Sequence, residues 1–373
     1  MTVDVAVIGL GVMGSAALHH LARRGLRAVG IEQFTPGHDR GSSHGETRII
    51  RLGYFEHPSY VPLVRAALPL WRALERDSGQ TLLDVTGIVE IGPPDSTIVT
   101  GTLRSARTHD LAHEVLDAAG VMRRWPAFRL PSHFVGVFQP EGGILAAEPA
   151  IQAQLALAVA AGAQMRPNER VRAIEPTATG VRVLTERSAV EAGQAVVAAG
   201  PWVKKLLRAL PAPLRVTRQV LGWFRPDDSA MFSRDRFPVF IVESTTGNFY
   251  GFPAGPRGLK FGRHQHGDEE VDPDQPIRPP GPGDEAVLRE VLAAHLPAAN
   301  GRLLDAKTCL YTETPDIDFI LDRLPDAPAV IVASPCSGHG FKFAPVIGEI
   351  VADLATRGTT RHDISRFRLA RFG

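Results

Sequence analysis

Cysteine is nearly absent. Cys309 and Cys336 are the only two, too few for a disulfide framework and too few for a structural zinc site of the usual kind. Each is expected to be free, and either buried or chemically used. A reducing, cytoplasmic setting is the simpler expectation, and no metal site is expected. No stretch approaches the roughly 18 consecutive apolar residues of a membrane span, so no membrane partner is expected. The apolar start at residues 3–10 (VDVAVIGL) is broken by Asp4 and has no basic segment before it, which argues against a secretory leader. An excess of either charge sign is also missing. The 41 basic and 40 acidic residues leave a net charge of +1, which gives no reason to expect a nucleic-acid partner. The basic pairs Arg23-Arg24 and Lys204-Lys205 read as solvated faces. There is no internal repeat and no low-complexity tract.

What remains is the composition of a soluble globular protein, 44% hydrophobic and 22% charged. The 373 residues leave room for two domains at about 100–200 residues each. Residues 3–8 read as a buried strand, Met13 to Arg24 as a helix ended by Gly25, and 27–32 as a second strand, together a βαβ unit. A polar loop from Pro36 to Gly45 leads into TRIIRL, which reads as a short helix-like stretch. Residues 58–77 read as an amphipathic helix. From 83 to 140 the pattern is short strands and turns, and 149–163 is an Ala-rich helix. Residues 170–200 read as strand, turn, strand and a buried strand, and 215–320 are strand-rich. A buried strand (329–334), a Gly-rich loop and a helix (344–357) close the chain. The fold class expected is therefore α/β in two domains: a Rossmann-like, discontinuous nucleotide-binding domain (1–82, 145–214 and 321–373) with an inserted, mainly antiparallel β-sheet substrate domain (83–144 and 215–320).

Gly9-Leu10-Gly11-Val12-Met13-Gly14 is a GxGxxG between a strand and a helix, with Glu32 and Gln33 at the end of the next strand. Gly9 permits the tight turn, Gly11 lets the backbone approach a pyrophosphate, and Gly14 lets helix and strand pack closely. The helix N-terminus favours negative charge. Glu32 can accept hydrogen bonds from a ribose diol and would repel a 2′-phosphate, which disfavours NADP. The fingerprint does not choose between FAD and NAD.

Five segments in order, GSSHGETRIIR (41–51), NFYGFP (248–253), GLKFGRH (258–264), KTCLYTETPDIDFILD (307–322) and CSGHGFKFAPVIGE (336–349), together resemble the monomeric sarcosine oxidase family, which includes N-methyltryptophan oxidase. The likeness runs from residue 3 to about 358. It implies an FAD-dependent oxidase of N-methyl amino acids that takes a small amino-acid substrate and dioxygen, gives amine, aldehyde and hydrogen peroxide, and acts as a monomer. It implies that Cys309 is bonded through sulfur to the flavin 8α-methyl carbon; the plainer alternative is a buried structural cysteine. Cys336 departs from the family pattern.

Arg51 and Lys342 become the carboxylate clamp, a two-donor fork beside a point charge. RIIR spaces Arg48 and Arg51 as if on one helical face, and two cations so placed need an anion or electron-rich partner. By resemblance Arg48 sits against the flavin ring, Lys260 promotes reaction with oxygen, and His264 lies near the substrate amine. Strand alternation puts Lys260 and Gly262 on one face. Tyr250 and Tyr311, two of only four tyrosines, are expected to line the substrate cavity rather than merely pack the core. Besides the fingerprint, Ser42, His44, Thr47, Arg48, Val171, Gly200, Trp202, Cys309, Gly338, Gly340, Phe341 and Lys342 are assigned to the cofactor. Residues 225–247 are expected to cover the entrance and set substrate size. The alternatives are an oxidase of a bulkier secondary amino acid (N-methyltryptophan, pipecolate or a fructosyl amino acid), a dehydrogenase with a non-oxygen acceptor, and a non-catalytic flavin-binding subunit.

Overall fold

A computed structural model describes residues 2–373. The first strand, Thr2–Ile8, is almost wholly apolar and is buried between two parallel neighbours, Ala28–Ile31 on one side and Ala189–Val197 on the other. From Val5 to Ile8 it is buried on both faces, so that stretch is a continuous apolar run rather than an alternation. Gln164–Arg166 extends this sheet in parallel beyond Ala28–Ile31. On the other flank Ala189–Val197 divides its edge: its first half pairs with the hairpin strand Gly180–Thr185, and its end runs parallel to Ala327–Ser334. The helices Val12–Arg23, Ala147–Ala160 and Ala344–Arg357 pack together against this sheet around residues such as Val7, Leu18, Ile151 and Ile347.

The second sheet has eight strands, in the order Leu303–Glu313, Arg215–Phe224, Gly258–Arg263, Gly247–Gly255, Val239–Ser244, Ile88–Gly92, Val135–Gln139 and Glu114–Asp117. All neighbours are antiparallel except Val239–Ser244 with Ile88–Gly92. An aromatic cluster that includes Phe128, Phe237, Phe240, Phe249 and Phe261 fills one of its faces. A small third sheet joins Thr47–Ile50 to Gly143–Ala146, which also pairs with Leu83–Asp84. The mixed α/β class expected from the sequence is the class observed.

Two local expectations are corrected. TRIIRL is not helical: Thr47–Ile50 is a strand, paired residue for residue with Gly143–Ala146. Its β-branched Thr47, Ile49 and Ile50 suit a pleated surface, and the partner lies about a hundred residues away, out of reach of any local reading. Arg48 and Arg51 therefore do not share a helical face. Arg51 follows the strand, where the chain bends. The region 83–140 is also not only strands and turns. It holds the helix Thr97–Thr108, whose N-cap Ser96 accepts a hydrogen bond from the Val99 amide, and the helix Ala118–Arg124, capped in the same way by Asp117.

Candidate active site

The GxGxxG turn is closed by steric necessity. Gly9 has φ +87°, and a Cβ there would stand 2.7 Å from the Ala198 carbonyl oxygen. A Cβ on Gly14 would stand 1.7 Å from the Gly9 carbonyl oxygen. Gly11 differs: a Cβ there would meet only the Ser43 hydroxyl, at 3.4 Å, so nothing inside the protein demands glycine at that position. Its small size keeps the adjoining cavity open, as a close-lying pyrophosphate requires. Gly14→Ala is therefore expected to cost about 1–3 kcal/mol in chemical denaturation through overpacking. Gly11→Ala is expected to leave stability intact while lowering the fraction of protein that takes up the dinucleotide. Equal destabilisation by the two would overturn this division of roles.

One cavity of about 770 Å³ runs along this turn and into the space between the two large sheets. Its walls include Gly9, Gly11, Val12, Met13, Glu32, Gln33, Ser42, Thr47, Arg48, Val171, Gly200, Trp202, Cys309, Gly338, Gly340, Phe341 and Lys342. Arg51, Tyr250, Lys260, His264 and Tyr311 belong to the same walls. Two residues assigned to the cofactor lie elsewhere. Gly14 stands behind the turn, and His44 is buried behind the wall, with both ring nitrogens unpartnered and its pKa pushed down to about 4 by burial. Of residues 225–247 only Ile241 reaches the cavity, so most of that segment does not border it. Lys204 and Lys205 are exposed yet border it, and Lys205 is tied 2.7 Å from Asp274.

The loop before Thr47–Ile50 is held in an unusual shape. Gly45 (φ +92°) and Glu46 (φ +70°) are left-handed, and their amides converge on the Glu148 carboxylate at 2.7 and 3.0 Å. That turn points two carbonyls at Lys260, whose ammonium donates to Gly45 O (2.6 Å), Thr47 O (2.8 Å) and Thr47 Oγ1 (3.2 Å). Burial, and then Arg48, push the Lys260 pKa well down. Three accepting oxygens are nevertheless the complement of the charged form. Arg48 donates to the carbonyls of Ser42, His44 and Thr47 at 2.7–2.8 Å and pairs with no carboxylate among the described residues. Cys309 is buried beside Leu221 and Trp223, its sulfur 3.9 Å from the carbonyls of Gly41 and Ser42.

On the second sheet, Tyr250 is registered against Gly262, and a Cβ on Gly262 would stand 2.7 Å from the Tyr250 hydroxyl. The missing side chain makes room for that phenol. Tyr311 stands 3.4 Å from Nδ1 of His264. Burial pushes the Tyr250 phenol up to about 12 and Tyr311 well up, and pulls His264 down to about 4, so all three are neutral near pH 7.

Across from them, Trp71 fixes the turn at Phe341 and Lys342. Its indole stacks on Phe341 and donates to the Lys342 carbonyl at 2.8 Å. The Lys342 ammonium donates to His339 O at 2.8 Å and faces the Tyr54 hydroxyl at 3.4 Å. Burial, and then Arg51, pull its pKa down to about 7.

Arg51 was expected to need an anion, and the structure supplies two that sequence reasoning missed. Its Nη2 donates to both oxygens of Glu56 at 2.6 and 2.7 Å, and its Nε lies 3.8 Å from Glu90. Burial works against the charge, but Glu56 and Glu90 outweigh it and hold the guanidinium's pKa up. Burial pushes Glu90 up to about 7, while Arg51 holds Glu56 down to about 2 against its own burial. Nothing in the sequence marks Glu56 among the 40 acids, because its position follows from the bend after Ile50.

These walls fit a flavin dinucleotide: an open glycine turn, the buried Glu32 carboxylate beside it, and, further in, a thiol and the Arg48 guanidinium, which has no carboxylate partner among the described residues. Residues 4–354 match the family of FAD dependent oxidoreductases, and the chain belongs to that family. It is 42% identical to monomeric sarcosine oxidase of Streptomyces avermitilis, over 98% of this chain and 97% of the other. It is 39% identical to N-methyl-L-tryptophan oxidase of Salmonella heidelberg over the full length of both. Among solved structures it is similar to NikD, an unusual amino acid oxidase essential for nikkomycin biosynthesis, at TM-score 0.86 and 29% identity over 98% of this chain and 97% of that one.

Proposed function

We propose that this enzyme is an oxidase of small N-methyl amino acids, of the sarcosine oxidase type. The observation that carries the reading is that a single cavity has the dinucleotide turn among its walls together with the cations Arg51 and Lys342. For an N-methyl substrate, the secondary amine, dioxygen and water give the primary amine, formaldehyde and hydrogen peroxide. Bound along the Gly9–Gly14 turn, FAD supplies the two-electron acceptor. The chain's own residues do the rest. Arg51 and Lys342 hold the substrate carboxylate and so fix the carbon beside nitrogen. His264, Tyr250 and Tyr311, all neutral, face the amine without adding charge. Arg48 stabilises negative charge on the ring system, and Lys260 stabilises the charge that develops when oxygen is reduced.

A peroxide assay across N-methyl, cyclic and bulky secondary amino acids, N-methyltryptophan included, tests this. Sarcosine-sized substrates are expected to give the highest kcat/KM. Peroxide formation with none of them would overturn the reading.

Cys309 is the proposed point of covalent attachment, through sulfur to the flavin 8α-carbon. In support, its thiol is buried in the cavity wall, and its sulfur lies 3.9 Å from the same Ser42 carbonyl that Arg48 donates to at 2.7 Å. Acid-precipitated protein is expected to stay yellow and Cys309→Ser to release its flavin. A flavin mass on the Cys336 peptide instead would move the attachment site.

A further inference from the structure

We infer that Glu56 is an exchangeable counter-ion that gives up Arg51 to the substrate carboxylate and then accepts the proton which the substrate ammonium must lose. The inference rests on the reading of Arg51 as the carboxylate site.

Arg51 as found is already satisfied. Its Nη2 holds both Glu56 oxygens, its Nη1 donates to Gly53 O at 3.1 Å, and Glu90 lies behind its Nε. A guanidinium so occupied can take a third carboxylate only by exchange. The two resident acids are not equivalent. Glu90 sits on the strand Ile88–Gly92, fully buried, and its Oε2 accepts from Thr102 (2.9 Å) and Gln139 (2.6 Å). It stays, as the permanent counter-ion. Glu56 sits on the irregular loop between Leu52 and His57, and Arg51 is the sole hydrogen-bond partner of its side chain among the described residues. Glu56 also forms part of the cavity wall, whereas Glu90 does not. The acid free to move is thus the one placed where a substrate would be.

Exchange changes the chemistry of Glu56. Its ionised form is favoured by Arg51 against burial. Once a substrate carboxylate takes the guanidinium, burial and the new like charge both favour the protonated acid. The groups facing Glu56 are Arg51 and Tyr54 on its own loop, Tyr60, Glu90 on the second sheet, His264 beyond Gly258–Arg263, and His339 and Lys342 on the Gly-rich loop. Both histidines are pulled down to about 4 by burial and carry no charge at neutral pH. A secondary amino acid arrives as a zwitterion, and its nitrogen must hold a lone pair to be oxidised. Moving one proton from the ammonium nitrogen to a Glu56 oxygen gives a neutral amine and a carboxylic acid. The total charge of the cavity does not change.

The test uses the flavin-loaded enzyme and propionate, a carboxylate without an amine. With no ammonium to supply the proton, Glu56 must take it from solvent. Calorimetric titration at pH 6, in two buffers of different ionisation enthalpy, reads the protons taken up; at that pH Lys342 is already charged. Wild type is expected to take up about one proton per propionate, and Glu56→Gln close to none. Glu56→Gln is also expected to bind propionate at least ~5-fold tighter, since the internal competitor is gone. Glu56→Asp, which keeps a carboxylate, is expected to restore the uptake and shows that loss in the Gln variant is not misfolding. Proton uptake that persists in Glu56→Gln, or propionate binding to wild type without uptake, overturns the inference. Absence of propionate binding in every protein overturns the carboxylate-site reading itself, and with it this inference.

Discussion

Arg51→Ala is expected to raise KM for N-methyl amino acids tenfold or more while changing little for the corresponding decarboxylated amines. A charge-assisted hydrogen bond contributes on the order of 1.5–3 kcal/mol, and the guanidinium offers two in a plane. Arg51→Lys is expected to recover only part, because one ammonium does not reproduce the fork. Inhibition by amine-free carboxylates should weaken in parallel. The surroundings add a second consequence. Removing Arg51 leaves Glu56 and Glu90 without their counter-ion in a buried site, which costs about 3–5 kcal/mol of stability for a broken buried pair. That loss rises with pH: with Arg51 present, Glu56 is ionised above about 2, whereas in the variant both acids must either stay protonated or carry unpaired charge. Denaturation should accordingly show the deficit widening from pH 5 to pH 8. Equal turnover of amines and amino acids by the wild type, or undiminished carboxylate inhibition in Arg51→Ala, would sink the clamp.

Lys260→Met is expected to slow reoxidation by dioxygen 10²- to 10³-fold, with the anaerobic reduction by substrate nearly unchanged. A preorganised charge aimed at developing charge contributes roughly 3–4 kcal/mol. Methionine keeps the length and apolar stem but gives up three hydrogen bonds to Gly45 and Thr47. The control is therefore the reductive half-reaction and the flavin absorbance, both of which a displaced 45–47 loop would alter. Comparable losses in both half-reactions would mean that Lys260 shapes the loop and does not serve the oxygen step.

The pattern of agreement and correction has a physical basis. The turn at Gly9–Gly14 and the strand before it were legible because every constraint on them acts within a few residues: a left-handed glycine, a close contact between turn and helix, and an apolar run buried on both faces. The helix Ala344–Arg357 was legible to the residue, since apolar spacing and the closing Gly358, left-handed at φ +73°, bound it locally. Thr97–Thr108 was missed because its β-branched residues speak for a strand, while the Ser96 cap and burial against the second sheet decide for a helix. His44 was assigned to the cofactor with its neighbours, and it is buried outside the cavity wall with both ring nitrogens unpartnered.

By itself the sequence determined the mixed α/β class, the dinucleotide turn, the absence of any long apolar helix, and the residue types available for binding a carboxylate and a flavin. Tertiary structure alone decided how Arg51 meets Glu56 and Glu90, because one acid lies on a bend created by pairing Thr47–Ile50 with Gly143–Ala146 and the other on a strand of a different sheet. It alone decided that Lys260 finds three oxygens, since two left-handed residues and Glu148 aim them. Chemistry at one residue is written in the chain, but the field and the partners that tune it are set by folding: Glu56 and Glu90 for Arg51, and Gly45 and Thr47, more than two hundred residues away, for Lys260.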